Sequence, residues 1–267
     1  MASGEVRCQL EGAVAHVSLS NPGKFNAMTR AMWRELRALF EDLQRNTALR
    51  CIVVRGEGGH FCAGGDISEY PSFRFDEAEL RHFHEQEVWG GLHAMLQCDV
   101  PVVAHIEGNC MGAGLEIASC CDIRLCADDA RFGAPIAKLG FPMAPREAAL
   151  VMSQVGATLA RQILLEAAVF EAAALQACGF LSAVLPIQQL GPDVQRRAQR
   201  IASLAPLAAR LNKQTFRALN PLLSLGEQGL SASESIANLL SQAYRYAPSA
   251  EHREGIHAFL SKRPPVF

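Results

Sequence analysis

Two short stretches carry the residue types that could do chemistry. FCAGGDISE, residues 61–69, follows the apolar run CIVVRG and sets two adjacent glycines before an acid. NCMGAGLE, residues 109–116, follows the apolar run VPVVAHIEG and leads into the helical pattern LEIASCC. Glycine permits positive φ and close backbone approach. The first N–H groups of a helix have no internal partner and lie at the positive end of its dipole. They can therefore donate to an oxygen that bears or develops negative charge. Two such turns meeting at one point would make a two-donor oxyanion hole, each donor worth roughly 3–4 kcal/mol to a developing enolate or tetrahedral anion. Glu116 lies one turn into the second helix, where its carboxylate could exchange a proton with the carbon or water beside that oxygen.

Plainer readings stand beside this one. Glycine turns after strands are ordinary, and Glu116 could simply complement the helix dipole. A dinucleotide-phosphate turn is a third reading. However, position 117 is Ile where GxGxxG needs its last glycine, and an acid two residues after the glycines would repel a pyrophosphate. GxSxG and Walker A patterns are absent.

The elements that must position these turns are legible as patterns. VRCQLEG and AVAHVSLSNP read as two strands joined at Glu-Gly. Thr29 reads as the N-cap of a helix over RAMWRELRALFEDLQR, whose apolar residues Met32, Leu36, Leu39, Phe40 and Leu43 recur at helical spacing. Residues 76–97 read as helical, weakened by Gly90 and Gly91. VPVVAHIEG and DIRLCA read as strands, the loop ARFGAPIAKLGFPMAP follows, and FLSAVLP reads as an edge strand among helices. Twice, an apolar strand runs into a glycine turn and then a helix. The reading is one α/β core over residues 1–187 with an all-helical extension over 188–267.

The 267 residues are enough to bury a substantial core. Hydrophobic residues make up 49% and charged residues 19%, a globular rather than a disordered composition. A net charge of −2 leaves no electrostatic footprint for nucleic acid, so an anionic ligand must be held locally. No apolar run is long enough to span a bilayer, and MASGEVRCQL lacks the charged and apolar regions of a signal peptide. Nine scattered cysteines without a CxxC pair suggest free thiols in the cytoplasm and no metal site.

Taken together, SNPGKFNAM, FCAGGDISE, PVVAHIEGNCMGAGLEIASCCDIRLCADDARFGAP and EGIHAFLSKRPPVF resemble the crotonase superfamily, the enoyl-CoA hydratase/isomerase family. The resemblance runs from about residue 5 to 267, with the motifs in the family's order and spacing. It implies a spiral of ββα units, a C-terminal helical trimerisation region, and a homotrimer or dimer of trimers. It also implies a coenzyme A thioester as substrate, with no prosthetic group. On the family's pattern the backbone N–H groups of Gly65 and Ala113 form the oxyanion hole and Glu116 moves a proton. Ala63, Asp66 and Ile67 match the segment that cradles the adenine. Lys24 and Phe25 match the segment along the pyrophosphate and pantetheine. Phe259 and Lys262 match C-terminal positions that reach the nucleotide, often that of a neighbouring subunit. Two of the chain's four lysines fall at these positions.

One departure from the pattern bears on the reaction. Family hydratases resemble one another in using two glutamates, and the second would fall at position 136, which is Ile. The following FPMAPREA replaces a more glycine-rich turn, so the acyl pocket is expected to be reshaped. An enoyl-CoA hydratase or isomerase is the leading reading. The alternatives are an acyl-CoA decarboxylase, a thioester hydrolase and a non-catalytic CoA-binding relative. A replacement for the missing acid could come from His82, His84, Glu85 or Glu87, on the helix after the first glycine turn, or from Glu147 after the altered loop, although most of these read as an exposed polar face; His60 reads as a turn residue and His105 as a satisfied core histidine.

Overall fold

A computed structural model describes residues 4–219, 240 and 242–267. The helical reading of residues 220–239 lies outside these described residues. The chain opens with the hairpin β1 (Glu5–Glu11) and β2 (Val14–Ser20), turning at Gly12 with φ of +59°. Helix α1 (Arg30–Arg45) starts where Thr29 accepts a hydrogen bond from the Met32 N–H at 3.1 Å, and it buries the apolar face read from the sequence. Then come β3 (Cys51–Gly56) and a 3₁₀ turn over Ile67–Ser72. The helical segment read over residues 76–97 is α2 (Glu77–His82), a wider π-type stretch over Phe83–Val88, and α3 (Trp89–Gln97). Gly91 does not weaken this segment so much as let it pack. A Cβ there would stand 3.0 Å from the Trp33 ring of α1.

Strands β4 (Val102–Ile106) and β5 (Asn109–Met111) lead into α4 (Ala113–Ser119). Strands β6 (Ile123–Ala127) and β7 (Arg131–Gly133) lead, through a 3₁₀ turn at Pro135–Leu139, into α5 (Pro145–Val155) and α6 (Ala157–Leu165). Strand β8 (Val169–Glu171), α7 (Ala172–Ala177) and β9 (Ala183–Leu185) follow, β9 being the last strand among the described residues. Six strands form one sheet in the order β1-β2-β3-β4-β6-β9, parallel from β2 onward, with β9 at the edge as read. Strands β5, β7 and β8 form a second sheet. Successive units therefore send one strand to the large sheet, the next to the small sheet, and then a helix, which is a spiral of ββα turns.

The inner strands β2, β3, β4 and β6 are buried on both faces, as parallel strands require, while the antiparallel edge strand β1 is largely exposed. One face packs against α1, α3 and α4 through a core that includes Trp33, Phe40, Leu92 and Leu115. The other is covered by α8 (Ile187–Ala202), whose Leu190, Val194 and Ala198 pack on Val14, Val53, Val103 and Leu125. The core thus reaches past residue 187, and the helix beginning there is part of it. Helices α9 (Pro206–Ala218) and α10 (Ala250–Leu260) follow. Among the described residues, no helix is long and apolar enough to cross a membrane. All nine cysteines are free thiols, seven of them buried.

Candidate active site

The two glycine turns are stitched together by backbone. The Met111 N–H donates to the Cys62 carbonyl at 2.8 Å, and the Cys62 N–H donates to the Asn109 carbonyl at 2.8 Å. His60, read as a turn residue, accepts from the Asn109 N–H through Nδ1 at 3.1 Å and so ties one turn to the other. Both turns lie beyond the carboxyl ends of parallel strands, where α/β sheets place ligands. Gly112 caps α4 with φ of +48°, a conformation that favours glycine. A Cβ on Gly112 would reach the Gly64 Cα at 3.5 Å, so the two turns pass close to each other. Among the described residues, neither the Gly65 N–H nor the Ala113 N–H has a hydrogen-bond acceptor. Gly65, Ala113 and Glu116 line one cavity of about 190 Å³.

Glu116 is buried, and no protein donor among the described residues reaches its carboxyl. Burial, and then the negative charge of Glu147, push its pKa up to about 8. Glu147 is one of the residues the sequence offered as a possible replacement for the missing acid, and it is the carboxylate the fold brings here. It stands in the first turn of α5, 2% exposed, and lines the same cavity. Its Oε1 lies 3.1 Å from His84 Nδ1, and His84 comes from the π-type stretch. Ile136 lines the cavity as an apolar wall, so the carboxylate absent at 136 is matched by one entering from the next helix. The polar-face reading of residues 82–87 is corrected at two positions. His84 turns into the cavity, and Glu87 is a buried structural carboxylate held by Arg30 at 2.7 and 2.9 Å and by Arg34 at 2.9 Å. His105 is satisfied as read, by Glu107 at 2.9 Å.

Of the residues assigned to the nucleotide arm, Ala63 and Ile67 line this cavity, and Lys24, Phe25 and Asp66 lie beside them. The Ala63 N–H donates to the Phe25 carbonyl at 3.0 Å, and Lys24 Nζ lies 2.7 Å from Asp66 Oδ2. Asp66 caps the 3₁₀ turn by accepting from the Ser68 N–H, and its hydrogen bonds from Lys24 and Ser68 hold its carboxyl below the usual range against the opposing effect of burial. Its side chain is thereby occupied, while Ala63 and the exposed Ile67 line the cavity. Phe25 is exposed and stands edge-on to His60, 4.5 Å between ring centroids. Phe259 and Lys262 do not join this group. They lie on and just after α10, both exposed, and neither lines the cavity of their own chain.

A ββα spiral carrying two apposed glycine turns over a buried glutamate is the crotonase fold. A structure from Magnetospirillum magneticum, described as an enoyl-CoA hydratase/carnithine racemase, superposes with a TM-score of 0.89 at 33% identity, covering 98% of this chain and 94% of that one. The chain belongs to the enoyl-CoA hydratase/isomerase family, whose family model matches residues 9–267. Among curated relatives, the 2,3-dehydroadipyl-CoA hydratase of Escherichia coli is 28% identical over 251 residues, 94% of this chain and 93% of the relative. The mitochondrial Delta(3,5)-Delta(2,4)-dienoyl-CoA isomerase of Dictyostelium discoideum is 24% identical over 263 residues, 95% of this chain and 87% of the relative.

Proposed function

We propose that this protein is an acyl-CoA-processing enzyme of the enoyl-CoA hydratase/isomerase type that uses Glu116 and Glu147 as its proton-transfer pair. The observation that carries this reading is the meeting of two buried carboxyls and two acceptor-free N–H groups in one cavity. The thioester oxygen accepts from the Gly65 and Ala113 N–H groups, which stabilise the enolate as charge moves onto it. Glu116 stays protonated near neutral pH because burial and the neighbouring charge both disfavour its anion. It is therefore suited to give a proton to the carbon beside the thioester. Glu147, as the carboxylate, takes a proton from water as the water oxygen bonds to the β-carbon. In an isomerisation it would take the proton from the γ-carbon instead. His84 orients Glu147 in either case.

Lys24, Phe25, Ala63, Asp66 and Ile67 would receive the coenzyme A arm, which enters as part of the substrate. Phe259 and Lys262 would complete that arm from a neighbouring subunit of a homotrimer or dimer of trimers. We place the protein in the cytoplasm, in keeping with its nine free thiols. The test is mass spectrometry of enoyl-CoA esters incubated with the protein in deuterated water. Gain of water is expected, with Glu116→Gln and Glu147→Gln each slowing turnover by about 10²-fold or more, the scale of a lost acid or base. Deuterium uptake without net water would select isomerisation. Full activity in Glu147→Gln would remove the second carboxylate from the mechanism.

A further inference from the structure

Arg74 lines the cavity that holds Glu116, yet the reaction above does not use it. Its guanidinium carbon lies 3.6 Å from the Phe141 ring centroid and 4.6 Å from that of Tyr70. Aromatic faces satisfy the π surface of a guanidinium but not the N–H donors around its edge. Nη1 is buried with no hydrogen-bond partner, and no ion pair reaches Arg74 among the described residues. Other partly buried arginines behave differently. Arg30 is paired with Glu87, Arg217 with Asp99, and Arg124 donates to the carbonyls of Phe180 and Cys121. Burial also pulls the Arg74 pKa down, although an arginine stays cationic at any working pH. Arg74 as a whole is half-buried, but its Nη1 is withdrawn from solvent without an acceptor, an arrangement that favours a ligand able to supply one.

The cation's place in the cavity indicates what that acceptor is. Tyr70 spans the distance from the oxyanion turn to Arg74. A Cβ on Gly65 would fall 2.2 Å from the Tyr70 hydroxyl, and the ring of the same tyrosine carries Arg74. Burial raises the Tyr70 pKa, with the Arg74 cation opposing that rise and the Glu116 carboxylate adding to it. Arg74 therefore stands about one tyrosine from the Gly65 turn, in the same cavity and on the side walled by Phe141, which the acyl-CoA reading makes the path of the acyl chain. A carboxylate matches a guanidinium edge better than any neutral acceptor, by charge and by paired geometry.

We propose that Arg74 anchors a carboxylate at the far end of the acyl chain, so that the preferred ligands are monothioesters of dicarboxylic acids. This rests on the acyl-CoA reading of the cavity. The test is calorimetric binding of saturated, unreactive pairs of equal length: glutaryl- and pentanoyl-CoA, adipyl- and hexanoyl-CoA, suberyl- and octanoyl-CoA. The native protein is expected to bind the carboxylated member of at least one pair about tenfold or more tightly, the scale of one charge-assisted hydrogen bond. Arg74→Met should erase that ratio and leave the neutral ester within about twofold. Arg74→Lys, which keeps the charge but loses the fork, should keep part of it. Equal binding of every pair, as a water held on Nη1 would produce, overturns the proposal. So does a preference that survives Arg74→Met. Because binding is read without turnover, a carboxylate preference in a protein that converts no enoyl ester keeps the anchor and removes the reaction. Turnover of neutral esters with no preference removes the anchor and keeps the reaction.

Discussion

Glu116 carries its proton at a cost to the fold that can be measured. In the unfolded chain its carboxyl titrates near 4.5, and in the folded chain near 8, raised by burial and then by Glu147. Between those values the folded state holds a proton that the unfolded state has released, so stability falls as pH rises. Native protein should therefore lose stability from about pH 4.5 to 8, and Glu116→Gln should lose distinctly less. Urea denaturation at several pH values within and beyond that window checks this. Parallel curves for the two proteins would mean that the folded carboxyl titrates normally. The positions of Glu116, Gly65 and Ala113 were legible in the sequence because they depend on local chain geometry, a glycine turn and the first turn of a helix. Glu147 and His84 were legible only as two among several possible replacements for the missing acid, and Arg74 was not legible at all. Each reaches the cavity through irregular backbone: the 134–144 loop, the π-type stretch, and the residues after a 3₁₀ turn. No hydrophobic period reports such placements.

The two glycine turns act as one element because small residues let them interlock. A Cβ on Gly114 would fall 2.6 Å from the Cys62 carbonyl oxygen and 3.0 Å from the Cys62 Cβ. That oxygen already accepts from the Met111 N–H, so it cannot retreat without breaking the tie between the turns. Gly114→Ala should destabilise the protein by about 1–3 kcal/mol, the usual range for an overpacked site. It should also lower kcat more than it raises KM, because it displaces donors that matter most in the transition state. Chemical denaturation and steady-state kinetics on one preparation would show this. A variant of native stability and native kcat would mean that the turns are not mechanically coupled. The strand–turn–helix order was legible because each apolar run ends at a glycine. The pairing of β5, β7 and β8 into a second sheet was not, since three-residue strands are too short for an alternation to appear.

At the scale of the whole molecule, the C-terminal helices leave apolar side chains without cover. Phe216, Tyr244, Phe259, Leu260 and Val266 are each more than half exposed, with Phe259 at 81%. Exposed aromatic and aliphatic residues gathered on one part of a chain mark an interface. The same region carries Lys262, a cation with no place in its own chain's cavity. Both features are resolved if α10 docks on another copy and delivers Phe259 and Lys262 to the nucleotide bound there. The native protein should then scatter light with the mass of a trimer or hexamer. Replacing Phe259 and Leu260 together by Glu should shift that mass toward a monomer. The double variant should also weaken binding of free coenzyme A, even though the substituted residues lie outside the cavity of their own chain. Lys262→Ala separates the two roles: its assembly should be native and its coenzyme A affinity reduced. A native protein of monomer mass would exclude this arrangement. An assembled Lys262→Ala variant with undiminished coenzyme A affinity would keep the interface and take Lys262 out of the ligand site.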